Sequence, residues 1–346
     1  MIKIQDRIID KKAPTFVIAE VSGNHKGKSE IAKEIIEAAA EAGADAVKLQ
    51  TYTPDTITLD CDNEYFQITQ GTLWDGRTLH NLYEEAYTPW EWHKELVEYA
   101  HSLGLICFSS PFDLTAVDLL EELEVPAYKI ASFEINDIRL IEYVASKGKP
   151  IIMSTGVATM GEIEEAIAAC KRMGNEQIIL LKCCSAYPTP MEDVNLRTIP
   201  NMAETFDSIV GLSDHSLGHT VALGAVALGA KVVEKHLCLS RKDGSVDSAF
   251  SMEPQEFKEM VHAIRDLEKA LGKVTYELTD KQKASTAHKR SLFVSEDIKA
   301  GEVFTDANIK SVRPSNGLNT KYYKDFIGKV AREDIKKGTP LDWHMI

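Results

Sequence analysis

Residues 128–156 read YKIASFEINDIRLIEYVASKGKPIIMSTG, and the order of their patterns decides the fold. An apolar run at 128–133 opens the stretch. A helix-period segment follows at 138–147, then Gly148, where a helix C-terminus calls for positive φ, then a second apolar run at 151–155. The same beat extends outward from residue 15 to residue 271. The further strand patterns are 16–21, 46–52, 105–110, 178–184, 209–214 and 232–239. The further helix patterns are 29–42, 92–103, 114–123, 160–173, 220–228 and 254–271, with 196–204 the weakest. Gly43, Gly104 and Gly229 punctuate the other helix ends. Eight nearly continuous apolar strands, each followed by a helix, call for a parallel sheet buried on both faces. Over about 250 residues this is α/β with a (β/α)8 TIM-barrel architecture. A doubly wound open sheet is the alternative, but the Gly-rich first turn of that fold is missing.

Two segments interrupt the beat. Residues 2–12 suit a short hairpin at the bottom of the barrel. Residues 61–89 form a long insertion after the second strand, rich in aromatics (Tyr65, Phe66, Trp74, Tyr83, Tyr87). It is either a packing lid or part of the mouth where such barrels work. The domain reading is a barrel at 1–271, a polar linker at 272–288 and a small β-rich domain at 289–346. Within the last, Glu296-Asp297-Ile298-Lys299-Ala300-Gly301 echoes in Glu333-Asp334-Ile335-Lys336-Lys337-Gly338, which suggests two pseudo-symmetric halves. A core of under 60 residues is marginal, so docking on the barrel or a second subunit is expected.

The 346 residues fit about two domains. With 44% hydrophobic and 27% charged residues the chain is neither fibrous nor largely disordered. No apolar run approaches the ~18 residues that span a bilayer, and the charged first twelve residues do not read as a secretory leader. A net charge of −14 disfavours nucleic acid and anionic membrane as partners. Six cysteines without a CxxC pair read as free thiols of a cytoplasmic protein.

In a barrel, polar side chains at strand C-termini converge on one mouth. Lys48 and Gln50 share a face at the end of the second strand. Lys129 is followed by Ser132 and Glu134. Ser110, Ser154 and Ser213 end further strands. A lysine inside a strand is costly to desolvate without an anion, so these groups suggest a phosphate and carboxylate cradle, with ion pairs to Glu20 or Glu134 as the alternative. His215 and His236 end adjacent strands and suit one metal ion. Glu234 shares a face with His236, and Asp214 is expected to orient a ring. His219 is a weaker ligand candidate. Glu20 and Glu234 are candidate bases. Tyr187, in Tyr-Pro-Thr-Pro, and Asp247 suit hydroxyl recognition.

These segments resemble the sialic acid synthase family. They are Ile18-Ala19-Glu20 with Asn24-His25, Val47-Lys48-Leu49-Gln50, Phe108-Ser109-Ser110-Pro111-Phe112, Lys129–Glu134, Ser154-Thr155-Gly156, Tyr187-Pro188-Thr189-Pro190, Gly211–His215 and Glu234-Lys235-His236. The tail, with Ser311-Val312-Arg313-Pro314, is similar to that family's antifreeze-like SAF domain. Gly71–Gly76, Thr88–His93 and Leu181–Tyr187 are most similar to the pseudaminic acid synthase branch. Lys182 and Ser185 depart from the histidine and asparagine of many N-acetylneuraminate synthases.

The resemblance implies condensation of phosphoenolpyruvate (PEP) with 2,4-diacetamido-2,4,6-trideoxy-L-altrose, with release of phosphate. It implies a divalent Mn or Mg ion held by His215 and His236. It also implies PEP contacts from Lys48, Ser110, Lys129, Ser132, Ser154, Ser185 and Ser213, and sugar contacts from Gln50, Glu134, Tyr187 and Asp247. Arg313 matches an arginine that one subunit lends to the other, which implies a domain-swapped homodimer. N-acetylneuraminate and legionaminic acid precursors are alternative acceptors. A Schiff-base aldolase using Lys129 or Lys48, and a non-enzymatic carbohydrate- or ice-binding protein, are the readings from other classes.

Overall fold

A computed structural model describes residues 1–346. The chain divides into two compact units, Met1–Gly272 and Lys273–Ile346. In the first, a hairpin of β1 (Ile2–Ile4) and β2 (Arg7–Ile9) precedes eight parallel strands. These are β3 (Phe16–Glu20), β4 (Ala46–Thr51), β5 (Ile106–Pro111), β6 (Tyr128–Ile130), β7 (Ile151–Ser154), β8 (Ile178–Cys183), β9 (Ile209–Asp214) and β10 (Val232–His236). They close into a barrel in the ring order β10-β3-β4-β5-β6-β7-β8-β9.

Most of these strands are buried along their whole length rather than at alternate positions, because helices cover the outside and side chains fill the inside. The helix Ser29–Ala42 shows the complementary pattern. It buries Ala32, Ile35, Ile36 and Ala39 on one stripe and stops at Gly43, whose φ of 82° needs a residue without a Cβ. Ile2, Ile4 and Ile9 of the hairpin join the same core.

The register levels the polar strand ends. Glu20 stands beside Lys48 on one side and His236 on the other. Gln50 pairs with Ser110, Glu234 with Ser213, and Ser213 with Cys183. Parallel pairing without slips therefore carries these residues to one rim.

Three details differ from the sequence expectations. The strand expected at 128–133 ends at Ile130, and a 3-10 turn at Ser132–Glu134 follows; Gly156 N donates to Ser132 Oγ (3.1 Å), which holds the turn against the next strand end. The insertion contains a helix, Leu79–Ala86, N-capped by Thr78, whose side chain accepts from Asn81 N. The stretch read as a plain linker holds a short helix, Asp280–Ser285, with a capping box between Thr279 and Gln282.

The second unit pairs β11 (Ser291–Val294) with β12 (Ile309–Val312) and has its own core of Leu292, Ile298, Phe304, Ile309, Phe326 and Leu341. The repeated hexapeptides lie across one another. Ile298 and Ile335 exchange backbone hydrogen bonds of 2.8 Å in both directions. Asp334 takes Lys299 Nζ (2.8 Å) and Ala300 N (2.9 Å), while Asp297 takes Lys336 Nζ (2.8 Å) and Lys337 N (2.9 Å). The sequence echo is thus a local two-fold relation. Its exposed ion pairs set register more than stability.

Candidate active site

A cavity of about 640 Å³ opens at the C-terminal mouth of the barrel. Its ionic part is built on β3, β4, β6 and β10. Lys48 Nζ contacts the Glu20 carboxylate, donates to Ser110 Oγ (3.3 Å) and lies 3.7 Å from Glu234 Oε1. Lys129 Nζ donates to the Ile130 carbonyl (3.2 Å) and lies 3.8 Å from the same carboxylate oxygen. Ser213 Oγ donates to Glu234 as well (3.1 Å). All four charged side chains are almost wholly buried.

Burial opposes charge on Lys48, but Glu20 and Glu234 outweigh it and raise its pKa. Burial, together with the Lys48 charge, leaves Lys129 below the usual lysine value. Glu234 is disfavoured by burial, yet Lys129 and Lys48 hold it below the ordinary carboxylate value. Burial, with the Glu234 charge beside it, pushes Glu20 up to about 7 against the pull of Lys48. Two cations are thus kept ready for an anion by carboxylates that neutralise them in its absence.

Beside the lysines lies a group of hydroxyls. Ser154 Oγ and Ser185 Oγ are buried without a partner. A Cβ at Gly156 would overlap Ser185 Oγ and stand 2.8 Å from Ser132 Oγ and 3.0 Å from Cys183 Sγ. Each unsatisfied buried hydroxyl costs about 1–3 kcal/mol. A ligand with several acceptor oxygens would recover that cost.

The imidazoles of His215 and His236 face each other with ring centroids 5.2 Å apart, packed on Phe250 and, for His215, on Tyr187. His215 Nδ1 lies 3.2 Å from the Cys184 carbonyl and 3.8 Å from Cys183 Sγ. Cys183 raises the His215 pKa against the effect of burial, and His215 brings the buried Cys183 thiol down to about 7. His236 is driven well below the usual histidine value by burial and by the neighbouring cations, and its buried Nδ1 makes no hydrogen bond, with Asp247 Oδ2 3.9 Å away. A neutral, unpartnered imidazole next to a second one fits a divalent cation that takes its remaining ligands from substrate or water. No cluster of three or more His, Cys, Asp or Glu groups adds to the pair. Asp214 does not orient a ring. It pairs with the wholly buried Lys235 (2.6 Å) and accepts from Ser216 N (2.9 Å), which clamps the turn that carries His215. His219 sits at the head of the helix Thr220–Ala227 and does not line the cavity.

Lys48, Gln50, Lys129, Ser132, Glu134, Ser154, Ser185, Tyr187, Ser213, His215, Glu234, His236 and Asp247 all line the cavity. Glu20 and Ser110 stand behind Lys48 and do not, so of the two candidate bases Glu234 is the one that faces the ligand space. Arg313 is an exposed residue of the second unit, and the cavity lining comes from the first unit alone.

Sequence reasoning missed Ser22, Cys183 and Phe250 and assigned no role to Trp74. Ser22 takes a left-handed conformation (φ 46°), donates to Asp247 and accepts from Gln50 Nε2 (2.9 Å). Its only sequence signal was its closeness to Glu20. Asn24 locks the loop of Asp247, donating to the Leu237 carbonyl (3.0 Å) and Ser251 Oγ (2.9 Å) and accepting from Ser245 Oγ (2.9 Å).

Burial lifts Glu134 to about 7, and one of its oxygens has no partner. A raised carboxyl pKa adds stability below the unfolded value, which is lost as pH rises through the folded one. Melting curves should show wild type losing stability relative to Glu134→Gln between about pH 4.5 and 7. A pH-independent difference would contradict this environment.

The family model described as the NeuB family matches residues 35–276, and that of the SAF domain matches residues 289–346. A pseudaminic acid synthase of Campylobacter jejuni is 49% identical over 96% of this chain and 96% of its own length. A pseudaminic acid synthase of Helicobacter pylori is 47% identical over 95% of this chain and 96% of its own. Among solved structures, an N-acetylneuraminic acid synthetase from Leptospira borgpetersenii in complex with citrate superposes with a TM-score of 0.73 at 31% identity, covering 82% of this chain and 94% of that one. Barrel, rim and tail all agree with these matches, and the chain belongs to the NeuB family, its barrel followed by a SAF domain.

Proposed function

We propose that this chain is a PEP-dependent nonulosonic acid synthase that condenses PEP with 2,4-diacetamido-2,4,6-trideoxy-L-altrose to give pseudaminic acid. The observation that carries the reading is the sharing of one cavity by two buried lysines, unpartnered hydroxyls and a pair of imidazoles. The names of the relatives at 47–49% identity agree with it.

In this reading Lys48, Lys129 and the hydroxyls of Ser132, Ser154, Ser185 and Ser213 hold the phosphate and carboxylate of PEP, with Ser110 supporting Lys48 from behind. Gln50, Glu134, Tyr187 and Asp247 hold the open-chain sugar. His215 and His236 would hold a divalent ion, Mn or Mg, which when bound supplies Lewis-acid stabilisation of charge on the aldehyde oxygen. C3 of PEP bonds to the aldehyde carbon, and the aldehyde oxygen takes up a proton. Water bonds to C2, and Glu234, kept ionised by the lysines, accepts its proton. The C2–O bond to the phosphoryl group then breaks. Phosphate leaves and takes up the second proton of that water, and C2 keeps the water oxygen as its carbonyl. Holding both reactants in one cavity turns the bimolecular bond formation into an intramolecular one.

We place Arg313 in the site of a second subunit, in a domain-swapped homodimer. Five exposed apolar side chains in the segments directly after four adjacent strands support a covered rim. They are Phe133 (60% exposed), Val157 (51%), Met160 (64%), Met191 (52%) and Leu217 (51%). Six unpaired cysteines, four of them buried, support a reducing, cytoplasmic setting. No helix is long and apolar enough to cross a membrane.

Phosphate release from PEP should depend on the acceptor and be lost in His215→Ala or in chelator, with the fold intact by circular dichroism; turnover that survives chelation, or a borohydride-trapped adduct on Lys129 or Lys48, would overturn the reading. Gly156→Ala fills the space among the hydroxyls and should raise the KM for PEP by about tenfold or more at little cost in acceptor KM. Removing residues 289–346 should abolish activity, and mixing that truncation with His215→Ala should restore part of it. No recovery in mixed dimers would refute the loan of Arg313.

A further inference from the structure

We propose that Lys235 is a positioning residue that sets the spacing of the two imidazoles from outside the cavity. Its ammonium ties the strand end of His236 to the turn of His215, and so governs how tightly the pair takes a divalent ion. The inference rests on the reading above, in which these imidazoles hold the ion, and names the group that aligns them.

Lys235 lies between Glu234 and His236 on β10. Alternation along the strand turns those two neighbours toward the cavity and Lys235 toward the surrounding helices. Lys235, Asp214 and Ser216 are all buried, and none of them lines the cavity. The wholly buried ammonium donates to Asp214 Oδ2 and to the Ser216 carbonyl, both at 2.6 Å. Asp214 Oδ1 in turn accepts from Ser216 N (2.9 Å). His215 stands between these two residues, so both of its flanks are fastened to the residue next to His236. The backbone contacts of the histidines themselves run to other loops. Thr189 N donates to the His215 carbonyl (3.1 Å), and Met252 N to the His236 carbonyl (2.9 Å). Lys235 instead joins one histidine's segment directly to the other's.

The fold by itself does not ask for a charge at this place. Val233, Val17, Ala19 and Leu212 share the face of the sheet on which Lys235 lies, and all are buried. In such a layer a buried ion pair is often no more stabilising than apolar side chains of similar volume. What the ammonium adds is direction, since its two bonds hold the turn on either side of His215. No third His, Cys, Asp or Glu completes a cluster with the imidazoles, so affinity for an ion rests on how well the two rings are placed. Groups that orient metal ligands in this way typically carry about 10–100-fold of metal affinity.

The test is a titration of the full chain with Mn(II), without substrates, in which free Mn(II) is read by electron paramagnetic resonance. The double variant Asp214→Asn/Lys235→Met removes both charges together, so the net charge near the imidazoles is unchanged. It should melt within a few degrees of wild type. Its Kd for Mn(II) should nevertheless rise about 10–100-fold. Activation of phosphate release by Mn(II) should shift to the same extent, with kcat at saturating Mn(II) and the PEP KM within about threefold of wild type. Lys235→Gln, too short to reach both partners, should weaken Mn(II) about threefold or more and keeps the test open if the double variant melts early. A folded variant that binds Mn(II) as wild type does would overturn the positioning role and leave the metal assignment standing. So would a loss of kcat that saturating Mn(II) does not repair. Wild type that binds Mn(II) no better than His215→Ala would overturn the metal assignment beneath it.

Discussion

Two ammonium groups lie inside a closed barrel, and the structure around them places carboxylates within reach of both. Lys48 and Lys129 are almost completely removed from water. An uncompensated charge there would cost several kcal/mol. Glu20 and Glu234 supply the compensation, and they stand at the required level because parallel pairing places Glu20 beside Lys48 and Glu234 beside Ser213. The compensation is unequal. The two lysines hold the Glu234 pKa down, while burial and the neighbouring Glu234 charge push Glu20 up to about 7 in spite of its contact with Lys48. An arriving anion therefore meets cations whose present partners include one carboxylate that can be silenced by a single proton.

That ionic centre explains the zoning of the cavity. Charges belong at strand ends, where a rigid sheet limits their movement and neighbouring strands provide counter-charges. The imidazole pair occupies the next two strand ends, β9 and β10, and is held indirectly. The buried Lys235–Asp214 pair fixes the turn of His215 from outside the cavity, and Cys183 and the Cys184 carbonyl approach its Nδ1 from β8 and its following loop. The 61–89 insertion, which leaves the barrel after β4, reaches across the mouth through Trp74. A single indole hydrogen bond and aromatic packing span the mouth there.

The barrel was legible because burial on both faces forces continuous apolar strands, and such runs survive in a linear reading. The expected strands and helices fall within a few residues of the observed ones; 209–214, 29–42 and 254–271 coincide with them. The site was legible where a residue's type conflicts with its place, as with a lysine in a buried strand. It was not legible where the decisive fact is a contact between distant segments. Asp214 looked like a partner for histidine because it precedes one, yet strand pairing sets it against Lys235. Glu20 looked like a base because it ends a strand, yet Lys48 and Gln50 cover it. Ser22 carried no sequence signal beyond its closeness to Glu20, because its role comes from a left-handed turn aimed at a residue 225 positions away.

By itself, then, the sequence determined the beat of strands and helices, the strand ends that hold polar groups, and the self-similarity of the tail. Each of these is written in neighbouring residues, through periodicity, burial and turn chemistry. Only the tertiary structure decided which carboxylate lines the cavity, which aspartate serves the fold and which loop reaches across the mouth. Those outcomes depend on ring order and register, which bring together residues with nothing between them in sequence to announce the meeting.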